Sequence, residues 1–162
     1  VALLDAGEIV KGYDALIALK DYKDSAEKAK SVKTTYDRIK SKSKIFRNGH
    51  WEFVNYERCQ LSTKVVNSNT VKIEISWASG ASEVAEWKFT GKWDPKTGRL
   101  NYTKGVHYDA EYIYDEETEK STEKKHYVYK NGSGYFYYKN SRLYWVANND
   151  RTAKASCFKY CN

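Results

Sequence analysis

The sequence predicts an α+β protein that is mainly β: a helical hairpin followed by an antiparallel meander of eight to ten strands, closed as an up-and-down barrel. Three observations predict it. Apolar residues recur at helical spacing up to about residue 45 and alternate from Gly49 to Tyr160. A turn signal interrupts the alternating part about every ten residues. Apart from Tyr13, Tyr22 and Tyr36, all aromatic residues lie beyond residue 45, and Tyr and Trp favour half-buried pleated surfaces.

The first helix carries Ile9, Val10, Tyr13, Leu16 and Ile17 as one stripe. Lys20-Asp21-Tyr22-Lys23 reads as a turn. Asp24 with Glu27 three residues on forms a capping-box pattern that opens a second helix, whose stripe is Ala29, Val32, Tyr36 and Ile39. Ala15, Ala18, Ala26 and Ala29 are small enough for close approach of the two. One such pair cannot bury its own face in a repeat array, so it packs on the β part or continues an earlier repeat.

The strands follow in order. Gly49–Tyr56 and Arg58–Val66 come first, then Val71–Ala78 with Val71, Ile73, Ile75 and Trp77 on one face. Glu83–Trp93 turns Ala85, Trp87, Phe89, Gly91 and Trp93 inward. Asp94-Pro95-Lys96-Thr97-Gly98 is a turn. Leu100–Lys104 and Val106–Tyr114 lead to the acidic loop Asp115–Glu119. Lys124–Tyr129, Gly134–Tyr138, Arg142–Val146 and Ser156–Tyr160 complete the meander, with Asn131-Gly132 as a hairpin signal. Closure removes the exposed edges of so long a meander, and Trp77, Trp87, Phe89 and Trp93 are expected to fill it. The chain divides into a helical hairpin over 1–44 and a barrel over 45–162.

The 162 residues are 41% apolar, enough for one globular core. The net charge is +7, and residues 20–44 hold nine Lys or Arg against four acids. That helix face either only solubilises or favours anionic partners. No run is long enough for a membrane span, and none reads as a signal peptide. The chain opens on Val1, as an excised or processed fragment would.

Two stretches resemble known families. Ala2-Leu3-Leu4-Asp5-Ala6-Gly7 and Asp21-Tyr22-Lys23-Asp24-Ser25-Ala26-Glu27-Lys28 resemble a degenerate tetratricopeptide-like helical pair of Gram-positive bacteria, although Glu8–Gly12 departs from the usual spacing. The stretch 73–105, with a Trp-ending strand, W-x-F-x-G and D-x-x-T-G-x-L-x-Y, resembles a β domain of surface and secreted proteins of gut and oral Firmicutes. Gly132–Tyr137, Leu143-Tyr144-Trp145 and the cysteines near each end, Cys59 and Cys157, fit the same pattern. The resemblance covers roughly 49–160. It implies a lipocalin-like (calycin) barrel and an extracellular or cell-surface location, and carries no activity.

Catalytic and metal chemistry find no foothold. His50, His107 and His126 stand singly, without converging ligands of zinc type. No nucleophile elbow, phosphate loop or HExxH occurs, and Asp115, Glu116 and Glu117 read as a solvated loop. The expectation is therefore a protein that is not an enzyme and has no cofactor and no metal. No nucleic-acid motif accompanies the positive charge, so a nucleic-acid partner is not expected. The dense aromatic segment of Tyr127, Tyr129, Tyr135, Tyr137, Tyr138, Tyr144 and Trp145 is partly core and cross-strand pairing. Its outward members, with Tyr127, Tyr129, Tyr135, Tyr137, Tyr144 and Trp145 as candidates, form a platform for sugars, peptides or bases.

Three cysteines allow one disulfide and a spare thiol, or none. In a closed meander the last strand returns beside the first few, so Cys59 and Cys157 are the expected pair. Cys157 and Cys161 are four strand positions apart, about 13 Å, beyond disulfide reach. The function expected is a binding module for a small molecule, peptide or glycan, held in the barrel mouth or on the Tyr-rich face. The alternative is a structural spacer or protein-interaction domain, including an enzyme inhibitor. An open apolar cavity would favour the first and a solidly filled barrel the second.

Overall fold

A computed structural model describes residues 6–19, 24–55, 58–153 and 156–161. Two helices, α1 (Ala6–Ala18) and α2 (Ser25–Ile45), precede eight strands. These are β1 (Gly49–Phe53), β2 (Cys59–Asn67), β3 (Thr70–Ala78), β4 (Glu83–Asp94), β5 (Arg99–Asp115), β6 (Lys120–Lys139), β7 (Arg142–Ala147) and β8 (Cys157–Tyr160). A 3-10 turn, Arg151–Ala153, lies between the last two. Each strand pairs antiparallel with the next, and β1 pairs with β8 (Trp51 opposite Tyr160), which closes the ring.

The expected register holds where alternation is unbroken. Ile75 lies opposite Trp87 and Ile73 opposite Phe89. Val71, Ile73, Ile75, Trp87, Phe89 and Trp93 are buried while Lys72, Glu74 and Lys88 face water. Trp77 is only half-buried, packed on Phe53 near the rim. The interior is filled by interlocked rings. Phe89 contacts Tyr102, Phe136 and Trp145 at 4.3, 5.6 and 5.4 Å between centroids. Trp87 meets Trp145 edge-on at 5.8 Å, and the Trp145 indole donates to the Tyr102 hydroxyl at 2.9 Å, which satisfies a buried N–H.

β5 and β6 depart from expectation. Each is one continuous strand where the sequence predicts two, and Asn131-Gly132 is no hairpin. Gly132 lies inside β6 opposite Gly105, and neither it nor Asn131 has the positive φ that a type I′ turn requires. That turn is made by Asn140 (φ 50°) and Ser141 (φ 60°), between β6 and β7. Gly132 is small for another reason: a Cβ there would run into the Tyr129 ring. Bulges near Tyr102, Gly105 and His107 shift the β5–β6 register. Beyond Glu111 the β5–β6 hairpin outruns β4, leaving Tyr112, Ile113 and Tyr114 exposed.

The helices dock through α2. Its Ala29, Val32, Tyr36 and Ile39 stripe is sheltered as expected, and Ile45 is fully buried in the barrel core. Phe46 packs edge-on against Trp93 at 6.0 Å. The junction is stitched down: the Thr63 hydroxyl donates to the Arg47 carbonyl at 2.7 Å, and Val65 N–H donates to Asn48 Oδ1 at 2.7 Å. The expected alanine contact is replaced by an aromatic one. Ala15, Ala18 and Ala26 are exposed, and Tyr13 stacks on Tyr36 at 4.0 Å. Nor does the capping box form: the Asp24 side chain makes no cap hydrogen bond and pairs with Lys28 at 2.8 Å. The predicted turn Lys20–Lys23 lies outside the described residues.

The expected Cys59–Cys157 bond is not made, and all three cysteines are free thiols. β1 runs between β2 and β8. Two strand spacings of about 4.8 Å separate the cysteine-bearing strands, against the Cα separation of about 4.4–6.8 Å that a disulfide needs. The closure is by hydrogen bonds and by ring packing of Trp51 on Tyr160 and Phe53 on Phe158, without a covalent link, and the support a disulfide would have given to an oxidising location is lost.

Removing a core ring should be costly and removing a surface lysine should not. Phe136→Ala should cost about 3–5 kcal/mol in urea unfolding, by loss of a fully buried ring, whereas Lys72→Ala should stay within about 0.5 kcal/mol. A shortened chain beginning at Lys44 should melt below the full chain, because it strips the helix that seats Ile45; equal melting would make the hairpin an independent appendage. Thiol labelling of the denatured, unreduced protein should count three thiols. In the native state burial pushes the Cys59 thiol up to about 12, so Cys161, the least buried of the three, should label first.

Candidate functional site

The six aromatic candidates separate into three environments. Tyr135 and Tyr137 on β6 and Tyr144 on β7 face outward, between the inward Phe136, Leu143 and Trp145. Tyr137 stacks on Tyr144 across the strands at 4.9 Å with 11° between planes. Tyr135 is tilted beside Tyr137 at 6.1 Å. Trp145 belongs to the core and is 2% exposed. Tyr127 sits on the stretch of β6 that has no β7 partner, beside Tyr108 at 5.6 Å and under the Lys130 ammonium at 3.9 Å.

Tyr129 turns inward. Its spacing from Tyr127 and Tyr135 is even, so unbroken alternation would place all three on one face. The bulges at His107/Tyr108 and Gly105 invert the parity twice. Val128 is the extra residue at the first bulge and is exposed.

Outward Tyr135 and Tyr137 line a cleft of about 530 Å³ between the barrel wall and α2. Arg38 on α2, Arg99 at the start of β5 and Lys139 at the end of β6 contribute its charge. The Arg99 guanidinium lies over the Tyr135 ring at 4.1 Å, a cation–π contact. The Arg38 stem crosses Gly98, whose φ of +69° makes the turn before β5; a Cβ there would come within 3.1 Å of Arg38 Cγ. The turn is held by Asp94, which accepts from Lys96 N–H at 2.9 Å and from the Thr97 hydroxyl at 2.7 Å. The one acid lining the cleft, Asp37, is bridged to Lys33 at 2.9 Å. Among the described residues, Arg38, Arg99 and Lys139 have no carboxylate partner. Burial raises the Tyr137 phenol above its ordinary value, helped by Tyr144 and Tyr135, so it remains a protonated donor.

A second cluster, which no sequence motif marks, lies at the barrel end opposite α2's seat on Trp93. Asp150, its side chain 7% exposed, accepts from the Trp87 indole at 2.7 Å and the Tyr129 hydroxyl at 2.8 Å through Oδ2. Its Oδ1 accepts from Thr152 N–H at 2.9 Å. Burial opposes its charge, but these hydrogen bonds outweigh burial and hold its pKa below the ordinary carboxylate value. His107 stacks on Trp87 at 4.2 Å, with Nδ1 3.7 Å from Asp150 and Nε2 3.7 Å from Asp109. Both ring nitrogens are buried without a hydrogen bond. Burial lowers the His107 pKa, against the pull of Asp150 and Asp109. The carboxylate pins the loop after β7 to the barrel and fixes Trp87 and Tyr129.

His50 and His126 are exposed, His126 on β6 opposite Asp109. Among the described residues no group of three or more His, Cys, Asp or Glu converges as a metal site. No described helix is long and apolar enough to cross a membrane.

No protein-family model matches the chain, and neither the curated proteins nor the solved structures contain a significant match. Function must therefore be read from the geometry and from the resemblances in the sequence.

The His107 environment predicts a pH dependence. Burial sets its pKa lower in the folded chain than the 6.5 of an ordinary histidine, so the unfolded chain binds more protons between those two values. Stability should therefore fall as pH drops from 7 through that window, with a slope of at most about 1.4 kcal/mol per pH unit for one proton. Melting temperatures at pH 8, 7, 6 and 5 should show the fall, and His107→Gln should remove it. An unchanged slope in that variant would clear His107 of the role.

Proposed function

We propose that this protein is a non-enzymatic binding module of a bacterial surface or secreted protein, with its ligand on the outer Tyr face beside α2. The observation that carries this is the cleft in which Tyr135 and Tyr137 meet Arg38 and Arg99. Outward aromatic rings on a rigid sheet give contact area at low entropy cost, and their hydroxyls give polar specificity. The interior does not compete for this role, because Phe89, Tyr102, Phe136 and Trp145 occupy it. The location, the lipocalin-like kinship and the tetratricopeptide-like kinship rest on the motifs at 21–28 and 73–105.

A spacer or protein-interaction role is the second reading, and two observations favour it. The filled barrel is what a scaffold needs. On α1 and the turn after it, Ile17 and Leu19 are 50% and 53% exposed, a face that a preceding helical repeat would cover.

An array of neutral and acidic oligosaccharides and peptides tests the binding reading. Capture of the full chain by a subset of spots is expected, with at least tenfold loss in the Tyr137→Ala, Tyr144→Ala variant. Capture that survives this variant would move the ligand off the Tyr face, and no capture at all would favour the spacer.

A further inference from the structure

Building on that binding reading, we infer that the cleft between α2 and the β6–β7 face takes an acidic saccharide, its oxyanion held between Arg38 and Arg99. Carboxylate, sulfate and phosphate share the chemistry that two guanidiniums recognise, planar and forked.

The arrangement of the rings selects the rest of the ligand. Tyr137 and Tyr144 lie face to face at 4.9 Å and are nearly parallel. The face of Tyr135 is taken by Arg99 at 4.1 Å. Stacked bases need free π-faces, and these contacts take one face of each ring. The platform also offers ring edges, phenol hydroxyls and guanidinium N–H groups. That is a donor-rich surface, suited to a chain bearing many hydroxyl acceptors and an anion. A nucleic-acid strand would lose part of its stacking here.

The charge has been left for such a ligand. Asp37, the acid that could neutralise Arg38 from its own helix, is bound to Lys33 at 2.9 Å on the adjacent turn. Arg38 and Arg99 reach the same cleft from different elements, the Arg38 stem packing on Gly98, the residue before Arg99. The contact of the Arg38 stem with Gly98 and of Arg99 with Tyr135 limits the rotamers of both side chains before a ligand arrives, which lowers the entropy cost of binding. A cleft of about 530 Å³ lies within the usual range of ligand sites.

Isothermal titration of the full chain tests this with four probes: tetragalacturonate, its fully methyl-esterified form, a sulfated carrageenan tetrasaccharide and a tetraglutamate peptide. The expected result is binding of at least one acidic sugar at least tenfold tighter than the ester and than tetraglutamate. Arg38→Gln and Arg99→Gln should each weaken it about tenfold with unchanged melting temperature, and Arg99→Lys should not restore it. Preference for the carboxylate sugar over the sulfated one, or the reverse, identifies the anion. Ester bound as tightly as acid overturns the inference while the binding reading stands. Tetraglutamate bound as tightly as the sugars overturns it in favour of an acidic peptide. Failure of both acidic sugars, with neutral glycans still captured on the array, overturns it alone; failure on the array as well removes the binding reading with it.

Discussion

Closure of eight strands on themselves is the constraint from which the rest of this structure follows. A barrel of that size has an interior just wide enough for its own side chains, and this chain supplies large ones. Trp51, Leu61, Ile73, Leu100, Phe136 and Leu143 are all essentially inaccessible to water. Once those side chains interlock, the interior is a core and not a container. Every group left for recognition must lie on the outer wall or at an end. The α2 end is closed by Ile45 and Phe46, and the position of α2 that this seat imposes is what walls the cleft over Tyr135 and Tyr137.

The same closure explains the irregularities of β5 and β6. A long hairpin that must both follow the barrel and project beyond it cannot keep one register. Bulges at Tyr102, Gly105 and His107 absorb the mismatch, and the glycines opposite one another there make room for rings: Phe89 beside Gly105 and Tyr129 beside Gly132. The shift sends Tyr129 inward, where Asp150 receives its hydroxyl together with the Trp87 indole. A loop carboxylate thereby satisfies two aromatic donors that the curled wall would otherwise bury unpaired. His107 is the uncompensated member of the group.

Legibility in the sequence followed the regularity of the alternation. The pairing of β3 with β4, with Ile75 against Trp87, is readable because no residue interrupts period two between them. The stripe of α2 is readable for the same reason at helical period. β6 is not, because Asn131-Gly132 carries the composition of a tight turn while its glycine serves ring packing, and the true turn at Asn140-Ser141 lacks a glycine altogether. Of the candidate site, Tyr135, Tyr137 and Tyr144 could be found as outward tyrosines. Trp145 could have been excluded, being one residue from Tyr144 and so on the opposite face. Arg38 and Arg99 were beyond reach, since nothing local reports that residue 38 of a helix packs on the turn before β5. Asp150 lies in a loop with no periodicity to mark it, and a lone His107 gives no sign of its neighbour.

A filled barrel that recognises its ligand on the outer wall can be observed through its own side chains. Of the five tryptophans, Trp51, Trp87, Trp93 and Trp145 line the interior, and each indole N–H gives one resonance. In an ¹H–¹⁵N titration with a ligand captured on the array, the Arg38 and Arg99 Nε–H signals should shift while the Trp87 and Trp145 indole signals stay in place. Shifts at Trp87 and Trp145 with unmoved arginine signals would instead place the ligand inside the barrel, and the filled core could not stand.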